Sequence, residues 1–299
     1  MEINSSISGS TKILGIIGNP VEHSISPYLH NTISRYLGIE TAYVPFKVEK
    51  DSLENAVKGL KALGILGFNV TIPFKKDVIK YLDENSKEAL LMGAVNTVKN
   101  IDGRLYGYNT DAEGFARSFK GESGTGFRGK KVVIVGAGGA ARGIAVKIAI
   151  EGAEKIHVIN RTLAKADDIA GIINNNIGNA AEALSLEDKK ALSVFTDCDM
   201  VINTTSVGMW PETENCPLGE EFTFSKGQIV YDAVYNPLKT KFLARAEGQG
   251  CKIINGLGML FYQGIYAYEI WTGIKLGDGF LEELYPCFCD HMQTAMSIR

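Results

Sequence analysis

The stretch Val132-Val133-Ile134-Val135-Gly136-Ala137-Gly138-Gly139-Ala140-Ala141 decides the fold of half of this chain. Its four apolar residues predict a buried parallel strand, and the glycines predict a turn into a helix whose N-terminal N–H groups can bind a pyrophosphate. Gly136 permits the tight turn, Gly138 lets a ligand approach the backbone, and Ala141 is small enough for close packing of helix on strand. The same glycine pattern would also suit an ordinary Gly-rich turn. As a dinucleotide site it would use Gly136, Ala137, Gly138, Gly139 and Ala140.

The residues at the end of the next predicted strand, 155–159, help to decide between a dinucleotide site and an ordinary Gly-rich turn. An NAD site usually has Asp or Glu here to accept from the ribose 2′-hydroxyl, whereas this chain has Asn160-Arg161-Thr162. Arg161 can bind a 2′-phosphate with its planar guanidinium, and Lys165 adds a second positive charge one turn later. The alternative is that Arg161 is a solvated surface charge and Thr162 a plain helix N-cap. Together with the glycine turn, the stretch predicts NADP as the cofactor.

Composition excludes several classes of protein. The 299 residues are 45% hydrophobic and 22% charged, which is typical of a soluble protein of two domains. The net charge of −3 argues against nucleic acid as a partner. No apolar run reaches the about 18 residues of a membrane span, and the polar start lacks a signal-peptide core. We therefore expect a cytoplasmic protein that does not bind membranes, with residues 1–10 as a loose tail.

The five cysteines are scattered, odd in number and do not suggest a disulfide framework. Cys287, Cys289 and His291 lie close together in sequence, but they have neither a fourth ligand nor the usual spacing of a zinc site. We expect no metal.

Alternating short apolar runs and amphipathic stretches predict an α/β domain before the glycine turn. Its strands are expected at residues 13–17, 42–48, 65–70, 94–99 and 104–108, and its helices at 27–37, 53–63 and 74–91. A polar, Gly-rich connector at 121–126 leads to the nucleotide half. Later strands are expected at 200–203, 228–232 and 252–254, and a last long helix at 258–273.

Two domains follow from this pattern. The first comprises residues 1–114, completed by C-terminal helices within 256–299, and has a mostly parallel sheet. The second, at 115–255, is the Rossmann-type NADP-binding domain. Ligands in open parallel sheets collect at the carboxyl ends of strands, so the polar residues that follow each strand of the first domain are candidate site residues.

The first of these polar clusters follows the strand at 13–17. Ser26 before Pro27 is expected to cap a helix, which leaves Ser24 without a structural role. Two hydroxyl groups beside a helix start would suit a carboxylate ligand.

The second cluster is Asn69-Val70-Thr71-Ile72-Pro73-Phe74-Lys75. Pro73 is expected to open a helix, which would put Lys75 in the first turn, where the helix dipole disfavours a cation. One interpretation is that Lys75 and Lys76 simply face water. The other is that Lys75 donates a proton, or a charged hydrogen bond, to an oxygen that becomes an alkoxide.

The third cluster, after the strand at 104–108, contains Asp111. A carboxylate near Lys75 would hold the ammonium group in place for proton transfer, and Asn69 and Asn96 could supply neutral donors and acceptors to substrate hydroxyls.

Seven motifs in the same order resemble the shikimate dehydrogenase family from Gly18 to Gln263. They are Ser24-Ile25-Ser26-Pro27, Asn69-Val70-Thr71-Ile72-Pro73-Phe74-Lys75, Gly93-Ala94-Val95-Asn96-Thr97, Asn109-Thr110-Asp111, the glycine turn, Asn160-Arg161-Thr162, and Gly256-Leu257-Gly258-Met259-Leu260 with Gln263. The resemblance implies NADPH-dependent reversible reduction of 3-dehydroshikimate to shikimate in aromatic amino-acid biosynthesis, with Lys75 and Asp111 as the catalytic pair.

The resemblance also implies the remaining site residues. Ser24 and Ser26 would hold the substrate carboxylate, and Ala233 and Gly256 would border the nicotinamide. The ring hydroxyls would meet Thr71, Asn96, Asp111, Tyr235 and Gln263. Two departures from the family pattern, Gly264 in place of alanine and Lys165 in place of arginine, bear on affinity.

Three alternative functions remain open at this stage, as does the oligomeric state. One is a quinate/shikimate dehydrogenase that uses NAD, which Asn160-Arg161-Thr162 argues against. Another is a different two-domain dehydrogenase, such as one acting on a folate, which the paired serines disfavour. A third is a noncatalytic NADPH-binding protein. The protein itself could be a monomer or a homodimer.

Overall fold

The computed structural model describes residues 7–297, with side chains described up to residue 295. The chain divides into two compact units: one runs up to Thr110 and resumes at Gln263, and the other is Asp111–Tyr262. The sequence expectation places these boundaries a few residues away, after residues 114 and 255. The polar start at residues 1–6 lies outside the described residues. Helices and strands alternate in both units, which confirms the α/β class.

The strands in chain order are β1 (Lys12–Gly18), β2 (Thr41–Lys47), β3 (Gly67–Val70), β4 (Glu84–Asn85), β5 (Thr97–Ile101), β6 (Arg104–Tyr108), β7 (Lys131–Val135), β8 (Lys155–Asn160), β9 (Ala181–Ser185), β10 (Met200–Asn203), β11 (Ile229–Asp232) and β12 (Lys252–Ile254). The α-helices are α1 (Ser26–Leu37), α2 (Leu53–Ala62), α3 (Lys87–Met92), α4 (Asp111–Ser123), α5 (Gly139–Ile150), α6 (Leu163–Asn176), α7 (Lys189–Asp197), α8 (Lys241–Gly248), α9 (Leu257–Thr272) and α10 (Asp278–Ser297). Two short 3₁₀ helices span Lys50–Ser52 and Asp77–Tyr81.

The first unit contains a mixed six-stranded sheet in the order β2-β1-β3-β5-β6-β4. β1 pairs in parallel with both β2 and β3, whereas β5 is antiparallel to β3 and β6. The inner strand β1 is apolar and buried from Leu14 onward, as expected for a strand covered on both faces. Phe68, Phe74 and Val78 lie in the core of this unit. The core therefore anchors the segment that follows β3.

The predicted helix at residues 74–91 is wrong. In its place the chain makes turns, the 3₁₀ helix Asp77–Tyr81, the short strand β4 and the helix α3. β4 pairs with β6, and a Cβ atom at Gly107 would overlap the Asn85 carboxamide, so the glycine makes this pairing possible. Ser86 then caps α3 by accepting a hydrogen bond from Ala89 N–H at 3.1 Å.

The second unit contains an all-parallel sheet in the order β12-β11-β10-β7-β8-β9. The strand order reverses between β7 and β10, which is where Rossmann-type sheets bind dinucleotides. Residues 121–123 of the expected connector instead end helix α4, which belongs to this unit. The apolar core includes Val133, Phe195 and Phe242.

Two further features concern the ends of the chain, and a third concerns its helices. Ser8 and Ser10 hydrogen-bond to the Glu40 carboxylate, so this part of the expected loose tail is tied to the first unit. Helix α10, whose bounds the sequence did not predict, contains Pro286. Among the described residues no helix is both long and apolar enough to cross a membrane.

Candidate functional site

The glycine turn after β7 has the geometry that a bound pyrophosphate needs. Gly136 adopts φ +103°, and a Cβ atom there would lie 2.8 Å from Thr204 Oγ1. Gly138 and Gly139 are exposed at the start of α5, and a Cβ atom at either would have no neighbour within 4 Å. Space in front of the helix N-terminus therefore leaves backbone N–H groups accessible to an anion.

Thr204 and Thr205 border this turn and were missed from the sequence. Thr204 Oγ1 donates to the Val135 carbonyl at 2.8 Å, which fixes the loop after β10 against the end of β7. Both threonines follow a strand at the point where the strand order reverses. Knowledge of the strand order would have identified Thr204 and Thr205 as candidate site residues.

A buried hydrogen-bond network supports the loops after β10 and β11. The Asp232 carboxylate accepts from Asn203 Nδ2 at 2.9 Å, from Thr240 Oγ1 at 2.6 Å and from Val234 N–H at 3.1 Å. Burial raises the pKa of Asp232 to about 6, although these hydrogen bonds partly offset that effect. Asn203 Oδ1 in turn accepts from Thr205 N–H at 3.0 Å, so the network reaches the glycine turn.

The end of β8 carries the residues predicted to bind a 2′-phosphate. Arg161 and Lys165 are exposed at the start of α6, and Lys165 N–H donates to the Thr162 carbonyl at 3.1 Å. Thr162 does occupy the N-cap position, but its hydroxyl makes no capping hydrogen bond. Asn160 Nδ2 donates to the Thr162 carbonyl at 2.9 Å and so closes the bend.

Gly256 and Ala233, both predicted to border the nicotinamide, lie in contact. A Cβ atom at Gly256 would overlap the Ala233 carbonyl oxygen, and Gly256 N–H donates to the Val234 carbonyl at 3.1 Å. Tyr235 follows in the same loop, half-buried. Only glycine fits at position 256 without displacing this loop.

These groups fit a phosphorylated dinucleotide. The open glycine turn provides donors and space for the pyrophosphate, and the two exposed cations at the end of β8 suit a further phosphate. The site fits the pyrophosphate because Gly138 and Gly139 have no Cβ atom. It fits a further phosphate because Arg161 carries a positive charge and is exposed.

In the first unit, the local hydrogen bonds at the start of α1 differ from the expected helix cap. Ser26 is the first residue of α1 and makes no capping bond, and Ile25 occupies the N-cap position. Ser24 Oγ instead accepts a hydrogen bond from Ser26 N–H at 3.3 Å. The cap prediction for Ser26 is therefore wrong, because Ser26 lies inside the first turn of α1, where its side chain is buried.

Lys75 lies in a turn and not in the first turn of a helix, so the argument from the helix dipole fails. Phe74 N–H donates to the Thr71 carbonyl at 2.9 Å, and the Phe74 ring is buried in the core. Val95 N–H donates to the Lys75 carbonyl at 2.8 Å. The backbone of Lys75 is thus held beside the segment that contains Asn96.

Thr71 packs against Gly18 at the end of β1. A Cβ atom at Gly18 would overlap Thr71 Cγ2, and Thr71 N–H donates to the Ile17 carbonyl at 2.9 Å. The loops after β1 and β3 therefore meet at the same edge of the sheet.

Asn69, which could supply donors and acceptors to substrate hydroxyls, is bonded to other groups of the protein. Its Oδ1 accepts from the Tyr43 hydroxyl at 2.7 Å, and its Nδ2 donates to the Asn96 carbonyl at 3.0 Å and to Thr97 Oγ1 at 3.1 Å. All of its amide hydrogen-bonding groups are thus engaged within the protein. The sequence signal, a polar residue late in a strand, does not distinguish a buried support from a ligand-binding group.

The remaining candidates are divided between the two units. Gln263, half-buried on α9, opens the second segment of the first unit, whereas Asp111 begins α4 and is the first residue of the second unit. His291 stacks on Tyr28, with ring centroids 3.7 Å apart. Within the described residues no group of three or more His, Cys, Asp or Glu side chains is arranged as metal ligands.

The Rossmann-type sheet with its open glycine turn defines a dinucleotide-binding protein. Family models match residues 16–98 (shikimate dehydrogenase substrate binding domain), 120–209 (shikimate / quinate 5-dehydrogenase) and 256–276 (shikimate 5′-dehydrogenase C-terminal domain). The chain belongs to the shikimate dehydrogenase family.

Individual relatives agree over nearly the whole length. Shikimate dehydrogenase (NADP(+)) of Alkaliphilus oremlandii is 46% identical over 90% of this chain and 94% of its own. The structure of shikimate 5-dehydrogenase from Listeria monocytogenes, in complex with shikimate and NAD, has a TM-score of 0.89 and 38% identity, covering 95% of this chain and 99% of that one. A 5-ketofructose reductase of Gluconobacter sp. strain CHM43 has a TM-score of 0.83 and 36% identity, covering 93% and 99%.

Proposed function

We propose that this chain catalyses the NADPH-dependent reversible reduction of 3-dehydroshikimate to shikimate, a step toward chorismate and the aromatic amino acids, with Lys75 and Asp111 assisting proton transfer. Sequence identity of 46% over 90% of the chain to a shikimate dehydrogenase (NADP(+)) supports the reaction. The observation that carries the role of Lys75 is the hydrogen bond from Val95 N–H to its carbonyl, because it holds this lysine beside Asn96.

The cofactor would be held by the second unit. Backbone N–H groups of Gly136, Ala137, Gly138, Gly139 and Ala140 would take the pyrophosphate. The 2′-phosphate would meet Asn160, Arg161, Thr162 and Lys165. Ala233 and Gly256 would border the nicotinamide, which supplies the hydride when NADPH is bound.

Proton transfer is assigned to Lys75. As negative charge develops on the substrate ketone oxygen, the Lys75 ammonium donates a proton to it, and the Asp111 carboxylate orients the ammonium. Chain connectivity supports the pairing: Asp111 follows Thr110, whose N–H donates to Asn96 Oδ1 at 2.7 Å. Asn96 thus follows Val95, which is hydrogen-bonded to Lys75. It is also hydrogen-bonded to Thr110, which directly precedes Asp111.

Substrate binding is assigned to seven side chains. Ser24 and Ser26, at the start of α1, would accept the carboxylate. The hydroxyl groups would be bound by Thr71, Asn96, Asp111, Tyr235 and Gln263. The matched substrate-binding family model over residues 16–98 supports assigning the first unit to the substrate.

The test is a direct assay. Purified protein is mixed with NADPH and 3-dehydroshikimate, and loss of the reduced nicotinamide absorbance is followed. Parallel reactions use 3-dehydroquinate and 5-ketofructose, each with NADPH and NADH. Preferred turnover of 3-dehydroshikimate with NADPH supports the proposal. Equal or better rates with NADH would favour the quinate/shikimate alternative, and nucleotide binding without turnover of any ketone would favour the noncatalytic one.

The cytoplasmic location and the choice between monomer and homodimer stay predictions from the sequence.

A further inference from the structure

Five buried polar residues of the first unit form a continuous hydrogen-bond chain that ends at Asn96. They are Tyr43, Asn69, Asn96, Thr97 and Thr110, and all are buried. Buried polar groups that all find partners hold one arrangement, since any other leaves a donor or acceptor unsatisfied.

The orientation of the Asn96 carboxamide follows from its partners. Its Oδ1 accepts from Thr110 N–H at 2.7 Å, from Thr97 Oγ1 at 3.0 Å and from Thr110 Oγ1 at 3.2 Å. A backbone N–H can only donate, so a flipped amide would place Nδ2 against it. With Oδ1 engaged in this way, any hydrogen bond from Asn96 to a ligand comes from Nδ2.

The donor-to-acceptor direction of these hydrogen bonds is set at Tyr43, the end opposite Asn96. Burial raises the pKa of Tyr43 well above its usual value, partly offset by a hydrogen bond with Ser26, so the phenol stays protonated. It therefore donates to Asn69 Oδ1, which turns Asn69 Nδ2 toward Thr97 Oγ1. Thr97 accepts there and is left to donate onward to Asn96 or Thr110.

We infer that Tyr43, Asn69, Thr97 and Thr110 form a positioning relay that fixes the Asn96 carboxamide so that Nδ2 donates to a ring hydroxyl of the substrate; this inference rests on the proposed function. We call these four residues the Asn96 relay. They are positioning residues that act through Asn96.

The decisive variant is Thr97→Val, which keeps the shape of the side chain and removes its hydroxyl. Loss of one orienting hydrogen bond is expected to raise the KM of shikimate about threefold to tenfold, and to leave the Kd of NADPH unchanged. Thr97→Ser restores the hydroxyl and should bring the KM back toward the wild-type value. Ser34→Ala is the matched control: it removes another buried hydroxyl, bonded to the His30 carbonyl, and should alter thermal stability but not the KM.

A double-mutant cycle with Asn96→Ala separates positioning from general structural damage. If Thr97 acts through Asn96, Thr97→Val adds no further rise in KM to Asn96→Ala. A rise of similar size in both backgrounds, or no rise from Thr97→Val alone, overturns the relay. If Thr97→Val does not fold, Tyr43→Phe enters the same cycle, and its effect on KM must shrink when Asn96 is absent.

Failure of the proposed function would be seen separately. If Asn96→Ala alone leaves shikimate binding unchanged, the assignment of Asn96 to the substrate is wrong and the relay falls with it. If Asn96→Ala weakens shikimate binding and Thr97→Val does not, only the relay is wrong.

Discussion

The imidazole of His30 stacks on the phenol ring of Tyr43, with the ring centroids 4.4 Å apart. Tyr268 and Trp271 lie against the same imidazole, which is fully buried. Neither ring nitrogen has a hydrogen-bond partner of good geometry in the part of the chain that the structure describes. Burial lowers the pKa of His30 to about 3, partly offset by the Asn69 amide. This histidine is therefore neutral at physiological pH and acts as an aromatic packing residue.

His30 should make the protein sensitive to acid. The unfolded chain protonates this residue near its ordinary pKa of 6.5, whereas the folded chain keeps it neutral down to about 3. The unfolded state thus binds more protons than the folded state between these two pH values. The contribution of His30 to the free energy of unfolding is therefore complete above about pH 6.5 and is lost progressively as the pH falls. At about pH 5 the loss is roughly 2 kcal/mol.

His30→Phe keeps a ring of similar shape and removes the titrating group. The free energy of unfolding in urea is measured for both proteins at about pH 7.5 and about pH 5, and the wild type should lose roughly 2 kcal/mol more than the variant. Equal losses in the two proteins would show that His30 is not held neutral.

Lys75→Ala should remove most turnover, because the variant lacks the ammonium group that is proposed to donate a proton to the substrate oxygen. We expect kcat to fall about a hundredfold or more, with the Kd of NADPH unchanged. Lys76→Ala is the matched control: Lys76 is the next residue, carries the same charge and is exposed. Similar kcat values for the two variants would remove Lys75 from the mechanism.

Arg161→Ala should reduce the preference for NADPH over NADH. One charge-assisted hydrogen bond contributes about 1.5 to 3 kcal/mol, so the ratio of kcat/KM for the two cofactors should fall about tenfold to a hundredfold. Arg104→Ala removes an arginine that pairs with Glu84 in the first unit and serves as the control. An unchanged ratio of kcat/KM for NADPH and NADH would indicate that Arg161 is a solvated surface charge.

Gly256→Ala should both destabilise the protein and weaken NADPH binding. The added Cβ would overlap the Ala233 carbonyl, which is backbone and cannot move without displacing its loop. A cost of about 1 to 3 kcal/mol is expected from calorimetry or urea unfolding.

Gly171→Ala is the contrasting control for this glycine. Gly171 lies within α6, and its added Cβ would have no neighbour within 4 Å. Alanine there should stabilise the protein by up to about 1 kcal/mol and leave NADPH binding unchanged. If both variants behaved alike, close packing at Gly256 would not be the cause.

Sequence patterns predicted the regular elements well where hydrophobic periodicity was continuous. The strands expected at residues 200–203 and 252–254 match β10 and β12, because short apolar runs bounded by polar residues fit buried parallel strands. The region at 74–91 failed because the exposed edge of β6 captures Glu84–Asn85 as a strand. Pairing with a strand about twenty residues away leaves no trace in local periodicity.

The same limit applies to individual side chains. The serine before Pro27 looked like a helix cap, and Asn69 looked like a ligand-binding amide. In the structure Ser26 N–H donates to Ser24 Oγ, and Asn69 Oδ1 accepts from the hydroxyl of Tyr43, which is distant in sequence. Only the three-dimensional arrangement reveals that partner.

By itself the sequence determined the α/β class, the glycine turn after β7 and the choice of arginine over a carboxylate at the end of β8. These depend on local chemistry: a missing Cβ, a run of apolar residues and the sign of one charge. Tertiary structure decided which polar residues support the site from within. Asn69, Thr97 and Thr110 satisfy one another across strands and loops that are distant in sequence, and hydrogen bonds between such segments exist only once the sheet has formed.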